Sequence, residues 1–142
     1  MRFFLIIMTL FFYSWAFAGE AHEEDTPLIG PEKGILAKSD HGFKLAPEAL
    51  QTLKIQTAAA PTKVLKVPSA ALVEIKNGRF LYLVREGWFT RVPVKVRKKD
   101  KRSVTIEIPQ HQSGDAYVSE GVGFVRTTEI LIEEGASHGH SH

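Results

Sequence analysis

Short β-rich runs, each ended by turn-forming residues, fill residues 68–108 and constrain the fold more than any other feature of this chain. Asn77-Gly78 is a dipeptide that strongly favours a two-residue hairpin, and it lies between β-rich runs at residues 69–75 and 79–84. Arg85-Glu86-Gly87 predicts a second turn directly afterwards. Strands joined by such short turns pair antiparallel, so this part of the chain predicts a β-meander.

Apolar residues alternate with polar ones on both sides of a charged loop at residues 97–102. Valine occupies every second position from Val92 to Val96, and branched apolar residues do so again from Val104 to Ile108. Because successive side chains of a strand point to opposite faces, each run should bury one face and leave the other in solvent. Pro93 removes a backbone donor from the first run, which predicts an edge position or a β-bulge.

The N-terminal half of the domain adds shorter elements. Residues 41–45, 55–59 and 62–67 are predicted strands, and residues 47–53 are predicted to form a helix of one to two turns. Together these elements predict an all-β fold, a mainly antiparallel small β-barrel or β-roll with one short helix. We place this domain at residues 40–132, between a flexible lead-in at residues 19–39 and a flexible, histidine-rich tail at residues 133–142.

The first 18 residues have the features of a secretory signal peptide. Arg2 precedes an apolar run that ends in Ala16-Phe17-Ala18, the small-x-small pattern of a signal-peptidase site. The alternative is an uncleaved membrane anchor, but the run is short for a span of roughly 20 residues and has no basic stop-transfer flank. We therefore expect cleavage after Ala18 and export to the periplasm.

The amino-acid composition argues against several classes of function. Cysteine is absent, so we expect no disulfide, no thiolate metal site and no lipid anchor on an N-terminal cysteine. Met1 and Met8 lie in the predicted signal peptide, which leaves imidazole and carboxylate ligands and favours Zn, Ni, Co or Cu(II). The 18 basic and 16 acidic residues nearly balance, and we expect no nucleic-acid partner. No catalytic sequence pattern occurs, so we expect no enzymatic activity and no required cofactor.

Half of the six histidines lie in the last five positions, where His138, His140 and His142 alternate with Gly139 and Ser141. In an extended chain their imidazoles point to one side, and three imidazoles leave one position of a tetrahedral Zn²⁺ site open. His22, which precedes three acidic residues, could contribute if both ends of the chain leave the domain side by side. The alternative is a polar tail with incidental metal affinity.

The aromatic pair Trp88-Phe89 follows a turn, and alternation directs only one of its two rings towards the core. The other ring either covers the sheet edge or anchors a docking partner. Arg91 is predicted on the solvent face of the same strand, where it either meets an acidic partner surface or is simply solvated. We therefore name Trp88, Phe89 and Arg91 as candidate docking residues.

Four motifs follow one another along the domain: VPSAAL at residues 67–72, FLYLV at 80–84, VPVKV at 92–96 and GDAYVSEG at 114–121. In this order, after the opening GFKLAPEAL at residues 42–50, they make the chain resemble one domain of a known family. That domain is the membrane-proximal domain of periplasmic adaptor subunits (membrane fusion proteins) of resistance-nodulation-division efflux pumps, in particular of the heavy-metal branch. The resemblance covers about residues 42–132 and implies contact with an inner-membrane pump.

Two departures from the family pattern restrict what the resemblance implies. PQHQSGD at residues 109–115 replaces the usual GLxxGD, and only residues 60–63 stand where the family inserts a barrel, a lipoyl domain and a helical hairpin. We therefore expect a non-enzymatic, adaptor-like periplasmic protein of divalent-metal efflux, with an inner-membrane pump, and the pump's full-length adaptor, as partners. The alternative is a free-standing periplasmic protein that binds and buffers metal on the same β-scaffold.

Overall fold

Two antiparallel sheets, two α-helices and a 3-10 helix at Ser69–Ala71 make up residues 34–137, the part of the chain that this computed structural model describes. The strands are β1 (Ile35–Ser39), β2 (Gly42–Leu45), β3 (Gln56–Ala59), β4 (Val64–Pro68), β5 (Val73–Ile75), β6 (Gly78–Arg85), β7 (Trp88–Pro93), β8 (Lys95–Lys99), β9 (Ser103–Glu107) and β10 (Ala116–Glu120). The helices are α1 (Pro47–Thr52) and α2 (Val122–Ser137). The predicted signal peptide and residues 19–33 of the predicted lead-in lie outside the described residues.

The strand pairing confirms the predicted all-β, mainly antiparallel class. The larger sheet has the order β1-β2-β7-β6-β10-β3, with β5 paired to β6, and the smaller sheet has the order β4-β9-β8. The Asn77-Gly78 hairpin forms as predicted, with Ile75 opposite Gly78. The two sheets are separate and do not close into a barrel.

One long predicted run became two strands in different sheets, and the break lies at Pro93 and Val94. It ends β7 opposite Phe80, and Val94 then donates its N–H to Arg79 O at 3.0 Å before β8 begins in the smaller sheet. Since Val94 bonds to β6, the nitrogen of Pro93 faces away from β6 and its missing N–H costs no bond of this ladder; the pairing with β6 ends after Val94, where the chain crosses between sheets. The predicted edge position or bulge is thus a corner.

The larger sheet is the middle of three layers, and alternate residues of β6 belong to different cores. Leu81 and Leu83 pack with Val104 and Ile106 of the smaller sheet. Tyr82, between them, packs on the opposite face with Val125 of α2. The fold is therefore smaller sheet, larger sheet, helix, which is the outcome expected when both faces of a sheet are apolar.

Order begins earlier than predicted, because Ile35–Ser39 of the predicted lead-in forms β1. It pairs antiparallel with β2, with Ser39 opposite Gly42. Gly42 has φ +149° and an added Cβ would lie 2.2 Å from Phe89 O, so the close approach of β7 requires glycine there. Three apolar residues without alternation gave too weak a signal to predict this strand.

The helix α2 is the second correction, because the prediction allowed only one short helix. Val122, Val125 and Ile132, with Glu129 between the last two, repeat at helical spacing and cover the larger sheet. Residues 133–137 of the predicted flexible tail continue this helix, and residues 138–142 lie outside the described part. Within residues 34–137 no helix is long and apolar enough to cross a membrane.

Candidate functional site

The four histidines predicted as metal ligands, His22, His138, His140 and His142, all lie outside the described residues. Between Gly34 and Ser137, no group of three or more His, Asp or Glu side chains could hold a metal ion. The structure therefore bears on the metal prediction through the points at which the two end segments join the domain.

Both end segments join the domain at one groove, which we call the terminal groove. It encloses about 370 Å³ between residues 35–38 of β1 on one side and Leu131, Ile132 and Gly135 of α2 on the other. Gly34, just before β1, is held where its carbonyl accepts the N–H of Ala46 at 2.7 Å. The first strand and the last turns of α2 in the described part thus lie beside the same groove, and the two-ended metal site stays a prediction.

The predicted docking pair Trp88-Phe89 is divided between the two faces of β7. Phe89 is 2% exposed and its ring stacks on Phe43, with centroids 5.7 Å apart. Trp88 is partly exposed, and Lys44 Nζ lies 5.1 Å from the centroid of its ring. Phe89 is therefore a core residue and is not accessible to a partner, which leaves Trp88 as the accessible aromatic of the pair.

Arg91 lies under α2 rather than on an open solvent face. Its Nε is 3.3 Å from Glu129 Oε1 and its Nη2 is 3.9 Å from Glu133 Oε1, while its guanidinium stacks 5.2 Å from the ring centroid of Phe80. The helix covers much of this side chain, which is 23% exposed. Arg91 thus fixes α2 to the sheet, and the prediction of a solvated docking residue needs correction.

Glu129 is the centre of this polar contact between helix and sheet. It accepts the hydroxyl of the fully buried Tyr82 at 2.6 Å and also contacts Arg126. Burial and then the hydrogen bond to Glu129 raise the pKa of the Tyr82 phenol well above its ordinary value. The phenol therefore stays protonated at neutral pH, where its hydroxyl can donate to Glu129.

The Gly114-Asp115 pair, part of the fourth motif, is occupied in a structural contact. The Asp115 carboxylate, with its side chain 0% exposed, receives Arg85 Nε at 2.7 Å and Nη2 at 2.9 Å, and also the N–H of Gln112 at 2.8 Å. The hydrogen bond from Arg85 lowers the pKa of Asp115 despite the opposing effect of burial. This clamp holds the altered loop at residues 109–115 against the end of β6.

A basic face lies along β8, which is an edge strand of the smaller sheet. Several of its cations already have acidic neighbours: Arg97 contacts Glu107, Lys98 lies 3.4 Å from Asp100, and Lys99 lies 3.4 Å from Glu74. Lys95, Lys101 and Arg102 are exposed and form no ion pair within the described part of the chain, although Lys95 lies opposite Glu107 in the β8–β9 ladder. We call these three residues the free basic patch.

Sequence reasoning missed the residues that line the terminal groove and the polar contact beneath α2. The spacing of Val122, Val125 and Ile132 could have indicated the helix, and Glu129 falls on the same face. Nothing in the sequence pairs Glu129 with Tyr82, which lies 47 residues earlier. Comparisons of the chain with family models, curated proteins and solved structures found no match.

Proposed function

We propose that this chain is a non-enzymatic, adaptor-like periplasmic protein of divalent-metal efflux that binds metal with its two end segments. It docks to an inner-membrane pump through its β-domain. The observation that supports the metal part best is the terminal groove, because it brings together the places where the two histidine-bearing segments join the domain.

Chain length allows both segments to reach one ion. His138 directly follows Ser137, the last residue of α2, and His22 is thirteen residues before Ile35, a span of at most about 45 Å. Tethering both segments to one scaffold raises the effective concentration of one for the other, so a joint site is favoured over two separate weak ones. Imidazole and carboxylate are suitable ligands for Zn²⁺, Ni²⁺, Co²⁺ and Cu²⁺.

The proposal that the β-domain docks to a pump is supported by the accessible ring of Trp88 and by the free basic patch. Lys95, Lys101 and Arg102 project from or beside an edge strand and could meet an acidic surface of a partner. A free-standing buffering protein, the alternative function, needs no such face. The free basic patch therefore favours the adaptor over the buffer.

Calorimetric titration tests the metal part directly. Residues 19–142 and residues 19–136 are titrated with each of the four ions, and a His41→Ala variant, which removes an exposed histidine of the described domain, is the matched control. We expect saturable binding that disappears with the tail, persists in the control, and weakens as the pH falls through about 6.5, because the ligand is neutral imidazole. Equal weak uptake by all three proteins would contradict metal binding by the tail.

A charge-reversal variant separates the adaptor from the buffer. Lys95→Glu with Lys101→Glu should leave metal affinity unchanged and should lower the metal tolerance of cells that depend on this protein. Lys54→Glu, an exposed charge between α1 and β3 and away from the terminal groove, is the matched control and should leave tolerance intact. Unchanged tolerance in the double variant would favour the buffer.

A further inference from the structure

The terminal groove is open, has a mixed polar and apolar lining that includes exposed leucines, and is bounded by a sheet edge. Leu36 is 64% exposed and Leu131 is 41% exposed, and both line it. β1 is the end strand of the larger sheet, so within residues 34–137 only β2 pairs with it and its outer edge has no strand partner. An unpaired strand edge beside exposed leucines can pair with another peptide segment, and proteins usually cover such an edge.

We propose that residues 26–31 of this same chain, Thr-Pro-Leu-Ile-Gly-Pro, dock in the terminal groove along the outer edge of β1, with Leu28 and Ile29 against Leu36 and Leu131. This intramolecular contact is independent of the proposed function.

The sequence between the predicted cleavage site and β1 offers only one apolar anchor. Leu28 and Ile29 are the only large apolar residues from position 19 to position 33, and Ile29 is six residues before Ile35. Six residues span at most about 20 Å, whereas the groove side of β1 is four residues long, about 13 Å. The anchor is therefore close enough to reach every part of the groove.

The connection between the anchor and β1 has the residues of a reversing turn. It reads Gly30-Pro31-Glu32-Lys33-Gly34, with a proline suited to the second position of a turn and a glycine at each end. Gly34 itself has a 3-10 conformation, and an added Cβ there would lie 2.8 Å from Ala49 Cβ, so the chain is held tightly against α1 as it enters. A reversal at this point directs residues 26–29 back along β1.

The flanking prolines make docking less costly. Pro27 and Pro31 restrict their own φ and keep the preceding residues extended, so less conformational entropy is lost when the segment is fixed. Pro27 has no N–H to donate to a β-ladder. An edge strand tolerates proline at a position whose backbone nitrogen faces solvent rather than the neighbouring strand. A tethered segment also competes at high effective concentration with any second copy or foreign peptide.

The test is a double-mutant cycle on metal-free protein, purified with EDTA after expression of the full chain. The variants are Leu28→Ala with Ile29→Ala, Leu131→Ala, and their combination, and the measured quantity is the equilibrium constant for unfolding. We expect each variant to raise this constant about fivefold and the combination to raise it little further, because both remove one contact. Val64→Ala, a 48% exposed residue of β4 in the other sheet, is the matched control and should combine additively with the anchor variant.

Hydrogen exchange and sedimentation complete the test. The outward-facing amides of β1 should exchange at least tenfold faster in the anchor variant than in the wild type. Additive effects with unchanged exchange would overturn the proposal. A wild-type dimer that Leu131→Ala dissociates and the anchor variant does not would overturn it in favour of a second copy. Because no metal is present, these readouts are unaffected if the titrations show no metal binding.

Discussion

Replacing Arg85 with methionine should destabilise the domain more than replacing its partner Asp115 with asparagine. The Arg85 side chain is 40% exposed and the Asp115 side chain is 0% exposed. Arg85→Met therefore leaves a buried carboxylate that, among residues 34–137, keeps only the N–H of Gln112 as a donor. Asp115→Asn leaves a guanidinium that water already reaches.

The expected magnitude follows from the cost of an unpaired buried charge. Breaking a fully buried ion pair costs about 3–5 kcal/mol, and since the Arg85 side is partly solvated and one donor remains, we expect about 2–3 kcal/mol for Arg85→Met. Asp115→Asn should cost about 1–2 kcal/mol. Combining the two should recover about 1 kcal/mol relative to Arg85→Met alone, because no buried charge is left.

The difference between wild type and Arg85→Met should depend on pH with a definite sign. In the wild type the folded pKa of Asp115 is lowered, so its stabilisation is present above the unfolded value near 3.9 and is lost as the pH falls through the lower folded value. In Arg85→Met burial acts without the arginine and raises the folded pKa, so this variant gains stability as the pH falls towards 4. The two proteins should therefore differ most above about pH 5 and converge below it.

Urea unfolding followed by circular dichroism and by Trp88 fluorescence measures these differences. Arg79→Ala is the matched control, because its pair with Glu74 is half exposed on both sides and should contribute no more than about 1 kcal/mol. The reasoning is refuted if Arg85→Met costs no more than Arg79→Ala, or if the loss does not change between pH 7 and pH 4.

Two further changes test local packing and the contact beneath α2. Gly121→Ala should cost about 2–4 kcal/mol, because Gly121 has φ +77° and a new Cβ would lie 2.9 Å from Ile55 Cα, whereas Gly123→Ala, two residues into α2 with open space around it, should gain about 0.5 kcal/mol. Equal denaturation midpoints for these two variants would contradict the geometry at the start of α2. Tyr82→Phe should cost about 1–2 kcal/mol by removing the donor to Glu129, and an unchanged unfolding free energy would show that this hydrogen bond contributes nothing net.

Most strands could be predicted because their signals are local. The hairpin at Asn77-Gly78 depends on turn chemistry, and the burial of Val104 and Ile106 depends on alternation within five residues. The division of residues 88–99 between two sheets could not be predicted in the same way. Pro93 indicated an irregularity, but only the pairing partners of β7 and β8 decide whether it is an edge, a bulge or a corner.

The sequence predicted the environments of the candidate site residues less well than it predicted the strands. Alternation indicated that one ring of Trp88-Phe89 would be buried, and the structure identifies it as Phe89. Arg91 was assigned to solvent because its strand alternates, yet α2 covers that face and supplies Glu129. A helix laid over a sheet changes the environment of residues far away in the sequence, and no local pattern contains that information.

The sequence by itself determined the β-class of this protein, its hairpins, its lack of thiol ligands and the concentration of histidine near its ends. These properties follow from the side chains themselves and from interactions over a few residues. Only the tertiary structure decided that the larger sheet has a core on each face, that Arg85 clamps Asp115, and that β1 and the end of α2 share one groove. Each of these depends on contacts between residues tens of positions apart, which form only because burying both apolar faces of one sheet brings distant segments together.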